Sequence, residues 1–310
     1  MTIRLMLYPP SQPAVLRLLE DGAQVRLGRW PDNDIQIDHP SVSRRHAVIA
    51  MASDHTWWLS DLTSKNGSRI NGTLNDEAML RPNDWISLGD VYGVFEEVDA
   101  AQVDAMRDNR RAKQAQSSVW LQRLNTDDAT SDLLACLIQG IVDLAECQRG
   151  FLMVGDHSSR LVAAACYGIS IDSVEPGDFR GSFTAIEQAA TAMRSVVIND
   201  ASHQPWLAAR GSVIAQSLRT IIALPISYEG RLLGVAYADS DQPGKVVSDI
   251  DMDLLSSFTE QAALILAAGS LEKKLERLSE CVEVDRSGLL RSVPITDAWQ
   301  KLHPSVGLRA

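Results

Sequence analysis

Turn chemistry interrupts the first hundred residues again and again: Pro9-Pro10, Asp21-Gly22, Pro31-Asp32-Asn33, Asp54-His55, Asn66-Gly67, Asn71-Gly72, Pro82-Asn83 and Leu88-Gly89-Asp90. The apolar stretches between these signals are too short for a helix of useful length. Their spacing predicts repeated strands of an all-β sandwich or barrel. Ile35-Gln36-Ile37 alternates cleanly, while Ala47-Val48-Ile49-Ala50-Met51 and Trp57-Trp58-Leu59 read as core strands.

Loops held by such a scaffold are where binding groups concentrate. Leu27-Gly28-Arg29 ends one strand, Ser41-Val42-Ser43-Arg44-Arg45-His46 precedes another, and Asp61 to Gly72 links two more. Arg29 offers a planar fork of donors suited to phosphate oxygens, and the Ser43 hydroxyl can donate to the same group. Nothing among these loops pairs a nucleophile with a general base, and no carboxylate pair is set for a metal, so the chemistry is binding rather than turnover.

In order and spacing, through the closing Asp84-Trp85-Ile86-Ser87-Leu88-Gly89, this set resembles the forkhead-associated (FHA) domain, a binder of phosphothreonine peptides. The resemblance implies that Arg29 and Ser43 contact the phosphate, that Arg44 and Lys65 flank it, and that Asn66 and Asn71 hold neighbouring backbone. Ser64 joins them as a further donor, completing the expected phosphopeptide-binding set. Gly28, His46 and Gly67 are implied as structural residues near the site. Lys65 and Ser68 stand where family members often carry Thr, so the hydrogen-bond geometry at Lys65 is the point of departure. Taken singly, Arg29, Arg44 and Arg45 also fit a solvated basic rim, and the two Asn-Gly pairs fit turns alone.

After Val98 the pattern changes. Asp99 to Ser118 is polar, rich in Ala, Gln and Arg and free of Pro and Gly, which fits a connecting helix better than a tether. Leu133, Leu134, Leu137, Ile138, Ile141, Val142 and Leu144 recur at helical spacing behind Ser131-Asp132. Strands are expected at 150–154, 161–165, 195–198, 220–226 and 232–238, a helix at 182–192, and a long apolar helix from Ser248 to about Ala268. This order, with Asn199-Asp200-Ala201…Pro205-Trp206 and Gly230-Arg231-Leu232-Leu233-Gly234-Val235-Ala236-Tyr237-Ala238-Asp239, resembles a GAF domain. The expected organisation is 1–98 FHA, 99–118 linker, 119–268 GAF, and 269–310 exit helix and tail: an all-β sandwich followed by an α/β domain with flanking helices.

The second domain gives no ligand away. The Asn-Lys-Phe-Asp-Glu set of cyclic-nucleotide-binding GAF domains cannot be assembled, and Cys166-Tyr167-Gly168 does not match a bilin attachment site. His157 and His203 are lone histidines, and no cofactor and no metal is expected. Ser182, Phe183, Asp200 and Trp206 are candidate cavity residues. Cys136, Cys147, Cys166 and Cys281 lie far apart with no Cys-x-x-Cys pair, which speaks against thiol catalysis such as methionine sulfoxide reduction.

A formal charge of -11, from 29 basic and 40 acidic residues, excludes wholesale attraction to nucleic acid or an anionic membrane. No apolar run is long enough to cross a bilayer and the N-terminus does not read as a signal peptide, so the expected compartment is the cytoplasm. Leu271, Leu275 and Leu278 form a stripe that suits either a partner helix or the chain's own domain. The expected function is a bacterial, non-enzymatic signalling adaptor. It would bind a threonine-phosphorylated protein, through a Ser/Thr protein kinase or its substrate, and use the GAF domain for small-molecule sensing or a homodimer. The alternative is a phosphate-independent scaffold for a signalling or secretion complex. A self-regulatory variant would phosphorylate Thr126 or Thr130; helix capping is the plainer role for Thr130.

Overall fold

The computed structural model of the chain describes residues 2–124, 130–155, 161–170, 182–199, 220–243, 245–280, 282–284 and 290–292, with side chains as far as 268 except those of 130–132. Thr126, His157, Asp200, His203, Trp206, Cys281, the Thr130 side chain and the Leu271, Leu275 and Leu278 stripe lie outside the described residues.

The first domain is a sandwich of two sheets. One holds β2 (Val15–Leu19), β1 (Thr2–Tyr8), β11 (Val91–Val98), β10 (Asp84–Leu88), β7 (Ser68–Ile70) and β8 (Thr73–Asn75) in that order. The other holds β4 (Ile35–Gln36), β3 (Gln24–Gly28), β5 (Ala47–Met51), β6 (Trp57–Asp61) and β9 (Glu77–Leu80). Strand periodicity sends alternate residues inward: Ile3, Leu5 and Leu7 of β1 are fully buried, as are Ala47 and Ile49 of β5. Trp57 meets Phe95 edge-on across the two sheets, with ring centroids 5.7 Å apart. The β3–β4, β4–β5 and β6–β7 loops gather at one end of the sandwich. The β10–β11 turn joins them there, because Asp90 N–H donates to Ser41 Oγ (2.9 Å).

The second domain is one antiparallel sheet covered on both faces. Its strands run β13 (Val162–Tyr167), β12 (Arg149–Val154), β16 (Arg231–Ser240), β15 (Thr220–Tyr228), β14 (Val196–Ile198). Helices α1 (Ala100–Leu124), α2 (Thr130–Leu144) and α4 (Asp249–Glu280) cover one face, and α3 (Phe183–Ala192) covers the other. Ile222, Leu224 and Ile226 of β15 face the three helices, whereas Ile221 and Ala223 face α3. A central strand covered on both sides needs no polar alternation, which is why 220–226 reads as one apolar run.

The segment expected as a connecting helix or tether is a single helix that runs on past Val119. Asp99 and Gln102 start it with a reciprocal box: Gln102 N–H donates to Asp99 Oδ1 (2.7 Å) and Asp99 N–H to Gln102 Oε1 (2.9 Å). Its C-terminal half enters the core through Trp120 and Leu124. Lys113 anchors its middle, 2.7 Å from Asp251 on α4 and 3.2 Å from Glu146 after α2. α2 and α4 approach closely at Gly140, where a Cβ would stand 2.5 Å from Phe258 Cζ. The final apolar helix and the exit helix are one element, α4.

A cationic pocket at the loop end of the sandwich

The β3–β4 and β4–β5 loops are laced together by their backbones. Arg29 N–H donates to Ser43 O (2.9 Å) and Trp30 N–H to Arg44 O (3.2 Å). The buried Asn33 side chain closes the lace, its Nδ2 donating to both Trp30 O and Arg44 O at 2.7 Å. Gly28 makes the approach feasible: a Cβ there would collide with the Arg44 carbonyl and stand 2.8 Å from Asn33 Nδ2.

His46 is fully buried beneath the pocket. It accepts the Ser43 N–H at Nδ1 (3.0 Å), and its Nε2 faces Gly67 O at 3.3 Å. Nδ1 therefore carries no proton and Nε2 donates, which fixes the neutral tautomer. Burial pushes the imidazole below its ordinary value, against the opposing pull of the Gly67 carbonyl and Asp61. His46 thus lies between the β4–β5 and β6–β7 loops, bonded to Ser43 and facing Gly67.

The β6–β7 loop comes in from the other side. Lys65 N–H donates to Ser43 Oγ (2.9 Å), and Asn66 Nδ2 donates to Ser41 O (2.7 Å). Ser64 turns away from the pocket: its hydroxyl donates to Asp61 Oδ2 (2.7 Å) and accepts the Gly67 N–H (3.0 Å). Asp61 is a hub, accepting also from Ser64 N–H (2.7 Å) and Ser68 Oγ (2.6 Å). Burial alone would raise its carboxyl, but the hydrogen bonds from Ser68 and Ser64 hold it below the usual carboxylate value. Asn71 stands further off, donating to Asp84 Oδ1 (2.7 Å) and accepting the Trp85 N–H (3.1 Å), so it ties the β7–β8 turn to β10.

Between the loops lies a pocket of about 770 Å³ lined by Arg29, Ser41, Ser43, Arg44, Arg45 and Lys65, with Trp30, Pro40, Val42 and Thr63 completing its wall. All its charged lining residues are cations. Arg45 is engaged by Asp32 (3.0 Å), just as Arg4, Arg17 and Arg26 of this domain are paired with Glu96, Asp249 and Asp34. Among the described residues, no carboxylate pairs with Arg29, Arg44 or Lys65. The Arg44 guanidinium lies over the half-exposed Trp30 ring, 4.8 Å from its centroid, which leaves its edge donors free to turn to an anion.

Of the seven expected binding residues, Arg29, Ser43, Arg44 and Lys65 converge on this pocket, Asn66 and Ser64 brace its loops, and Asn71 braces a neighbouring turn. Sequence reasoning missed Asn33, taken only as a turn residue, and Asp61, whose three serine contacts come from positions 64 and 68. The only signal available was their polarity inside segments otherwise accounted for.

In the second domain Tyr237 stacks on Phe151 (centroids 4.9 Å, 22°) and its hydroxyl accepts the Ser182 N–H (3.2 Å). Ser182 caps α3 through Ala185 N–H (3.2 Å), and Phe183 packs on the same core. Cys147 is buried enough that its thiol is pushed up to about 12, the reverse of an activated thiolate. Among the described residues no group of His, Cys, Asp and Glu could hold a metal ion, and no helix is long and apolar enough to cross a membrane.

Comparison with known proteins places both halves. The FHA domain model matches residues 25–89 and the GAF domain model matches residues 129–267. The glycogen accumulation regulator GarA of Mycobacterium tuberculosis is 37% identical over 79 residues, 26% of this chain and 48% of GarA. The oxoglutarate dehydrogenase inhibitor of Corynebacterium jeikeium is 35% identical over 79 residues, 26% of this chain and 54% of the inhibitor. The chain thus spans about half the length of these curated relatives. Among solved structures, Mycobacterium tuberculosis EmbR in complex with a low-affinity phosphopeptide is similar over 30% of this chain and 24% of EmbR, with 29% identity and a TM-score of 0.26. The chain thus carries an N-terminal FHA domain followed by a GAF domain.

Proposed function

We propose that this chain is a non-catalytic signalling adaptor whose FHA domain, within residues 1–98, binds a threonine-phosphorylated protein, and whose GAF domain senses a small molecule or holds a dimer. The observation that carries the reading is the set of three cations around the Ser43 hydroxyl, Arg29, Arg44 and Lys65, which no carboxylate pairs with among the described residues. A phosphate monoester, near −2 at neutral pH and rich in acceptor oxygens, matches that set. Arg29 and Ser43 take the phosphate, Arg44 and Lys65 flank it, and Ser64, Asn66 and Asn71 hold the loops. The upstream partner is a Ser/Thr protein kinase or one of its substrates, and the site of action is the cytoplasm. The curated relatives, a glycogen accumulation regulator and an oxoglutarate dehydrogenase inhibitor, support a regulatory role.

The test is binding of a degenerate phosphothreonine peptide library to the full chain, with the unphosphorylated library as control. Selective binding is expected. Arg29→Ala should weaken it by about tenfold or more, the worth of a charge-assisted hydrogen bond, with unchanged circular dichroism. Equal binding of both libraries would replace this reading with a phosphate-independent scaffold.

A further inference from the structure

The β1–β2 connection and the start of β2 dock the FHA domain against the GAF domain. Ala14 is fully buried there; its N–H donates to Val247 O (2.9 Å) and its carbonyl accepts the Asp249 N–H (2.7 Å), forming a one-residue parallel bridge with Ser248. Leu16 N–H donates to Asp249 Oδ1 (3.2 Å), Arg17 Nη1 to Asp249 Oδ2 (2.5 Å), and Ser11 O accepts the Val197 N–H (3.3 Å). The receiving side is itself held. Asn199 donates to Val247 O (3.1 Å) and accepts its N–H (2.7 Å), while Ser248 and Asp251 form the box that starts α4.

The same connection also faces the phosphate loops. Gln12 Nε2 donates to Asp38 O (2.7 Å). Asp38 opens the loop that carries Ser43 and directly follows Ile37, whose N–H is bonded to the carbonyl of Gly28 (2.9 Å), the neighbour of Arg29. The Asp38 carboxylate lies 3.8 Å from Arg194, a GAF residue just after the left-handed Met193 that ends α3. A dianion bound at Arg29 and Ser43 would repel a carboxylate on the same loop, as at Asp38. Arg194 offsets that repulsion, and it stands there only while the domains are docked.

We propose that the GAF domain is part of the phosphopeptide-binding apparatus. Docking through Ser11–Arg17 holds the 38–46 loop from behind and sets Arg194 against Asp38. Docked molecules therefore bind phosphopeptide more tightly, and by reciprocity bound phosphopeptide tightens docking. This rests on the reading of the Arg29 pocket as a phosphate site. Because Arg194 and Asp38 are exposed, the effect is modest, about two- to fivefold in affinity, and shrinks with salt.

The experiment uses the full chain and a fluorescent phosphothreonine peptide drawn from the library, read by polarisation at low and moderate salt. Arg194→Glu and Arg17→Asp are each expected to lower affinity about two- to fivefold or more at low salt, and together to be no worse than the more damaging of the two. The swap Arg17→Asp with Asp249→Arg should recover part of the loss, since Leu16 N–H still lacks its acceptor, and Asp38→Asn should shrink the effect of Arg194→Glu. Calorimetry supplies a second readout: one unfolding transition for the wild type, raised as a whole by peptide, against two in Arg17→Asp with only one raised. If Arg17→Asp and Arg194→Glu bind as the wild type does while Arg29→Ala does not, the domains are independent and the inference falls alone. If the wild type binds no phosphopeptide, the reading beneath it falls too.

Discussion

Ser43 gives its backbone N–H to Nδ1 of His46 at 3.0 Å, so the residue that presents a hydroxyl to the pocket is positioned by a buried imidazole that must stay neutral. An unfolded imidazole titrates near 6.5, and burial holds the folded one below that value. The unfolded chain then binds the proton more readily than the folded one. The stability supplied by neutral His46 is complete above about pH 6.5 and is lost as pH falls from there through the lowered folded value. Thermal unfolding across that range should show the decline, and His46→Gln, which can accept at one end and donate at the other, should flatten its upper part. An identical slope in the variant would sink the assignment. Stability is the better readout than binding, because a phosphate ester titrates near pH 6 itself.

Asn33 is expected to matter beyond its size. Its amide holds two carbonyls from two loops, so Asn33→Ala should cost about 1–2 kcal/mol in urea unfolding and weaken phosphopeptide binding as Arg44 and Trp30 lose their fixed spacing. Asn33→Asp should be worse, since it aims a carboxylate at two carbonyl oxygens. Equal stability of the wild type and the two variants would show that the clamp holds nothing.

At Gly140 two opposing effects can be weighed. Alanine in a helix interior is worth about 1 kcal/mol over glycine, but overfilling a packed core costs about 1–3 kcal/mol. The added Cβ would press on the fully buried ring of Phe258, so Gly140→Ala should be net destabilising. Combining it with Phe258→Leu should cost less than the sum of the two changes. Simple additivity would contradict the close approach of α2 and α4.

Cys147 should resist alkylation in the folded protein at pH 8, because a thiol pushed up to about 12 presents almost no thiolate there. Mass spectrometry after brief iodoacetamide treatment reads this directly. Rapid native labelling at Cys147 would reopen a thiol chemistry for the second domain.

Much of the architecture was legible because it is periodic or local. Asn66-Gly67 and Asn71-Gly72 announce turns, and Gly67, Asn71 and Gly72 do take positive φ values of 74°, 50° and 86°. The strands of the second domain fall where apolar runs are bounded by turn residues. The convergence of Arg29, Ser43, Arg44 and Lys65 followed from an ordered set of loop residues. What stayed hidden lacks a period: the reach of Asn33 to a carbonyl 11 positions on, and the inward turn of Ser64 to Asp61. Docking of Ala14 against Ser248 was equally illegible, since an alanine near a proline-rich turn has no feature that names a partner more than two hundred residues away.

The helix that receives the FHA connection continues without interruption from Asp249 to Glu280. At 1.5 Å per residue those 32 residues make a rod of about 48 Å. Met252, Leu255 and Phe258 fix its first turns in the GAF core, so the rod moves with that domain as one body: a one-degree rotation of the domain about the grip of Ala14, Leu16 and Arg17 carries the far end through about 0.8 Å. A change too small to notice where the two domains touch thus becomes a displacement at Glu280.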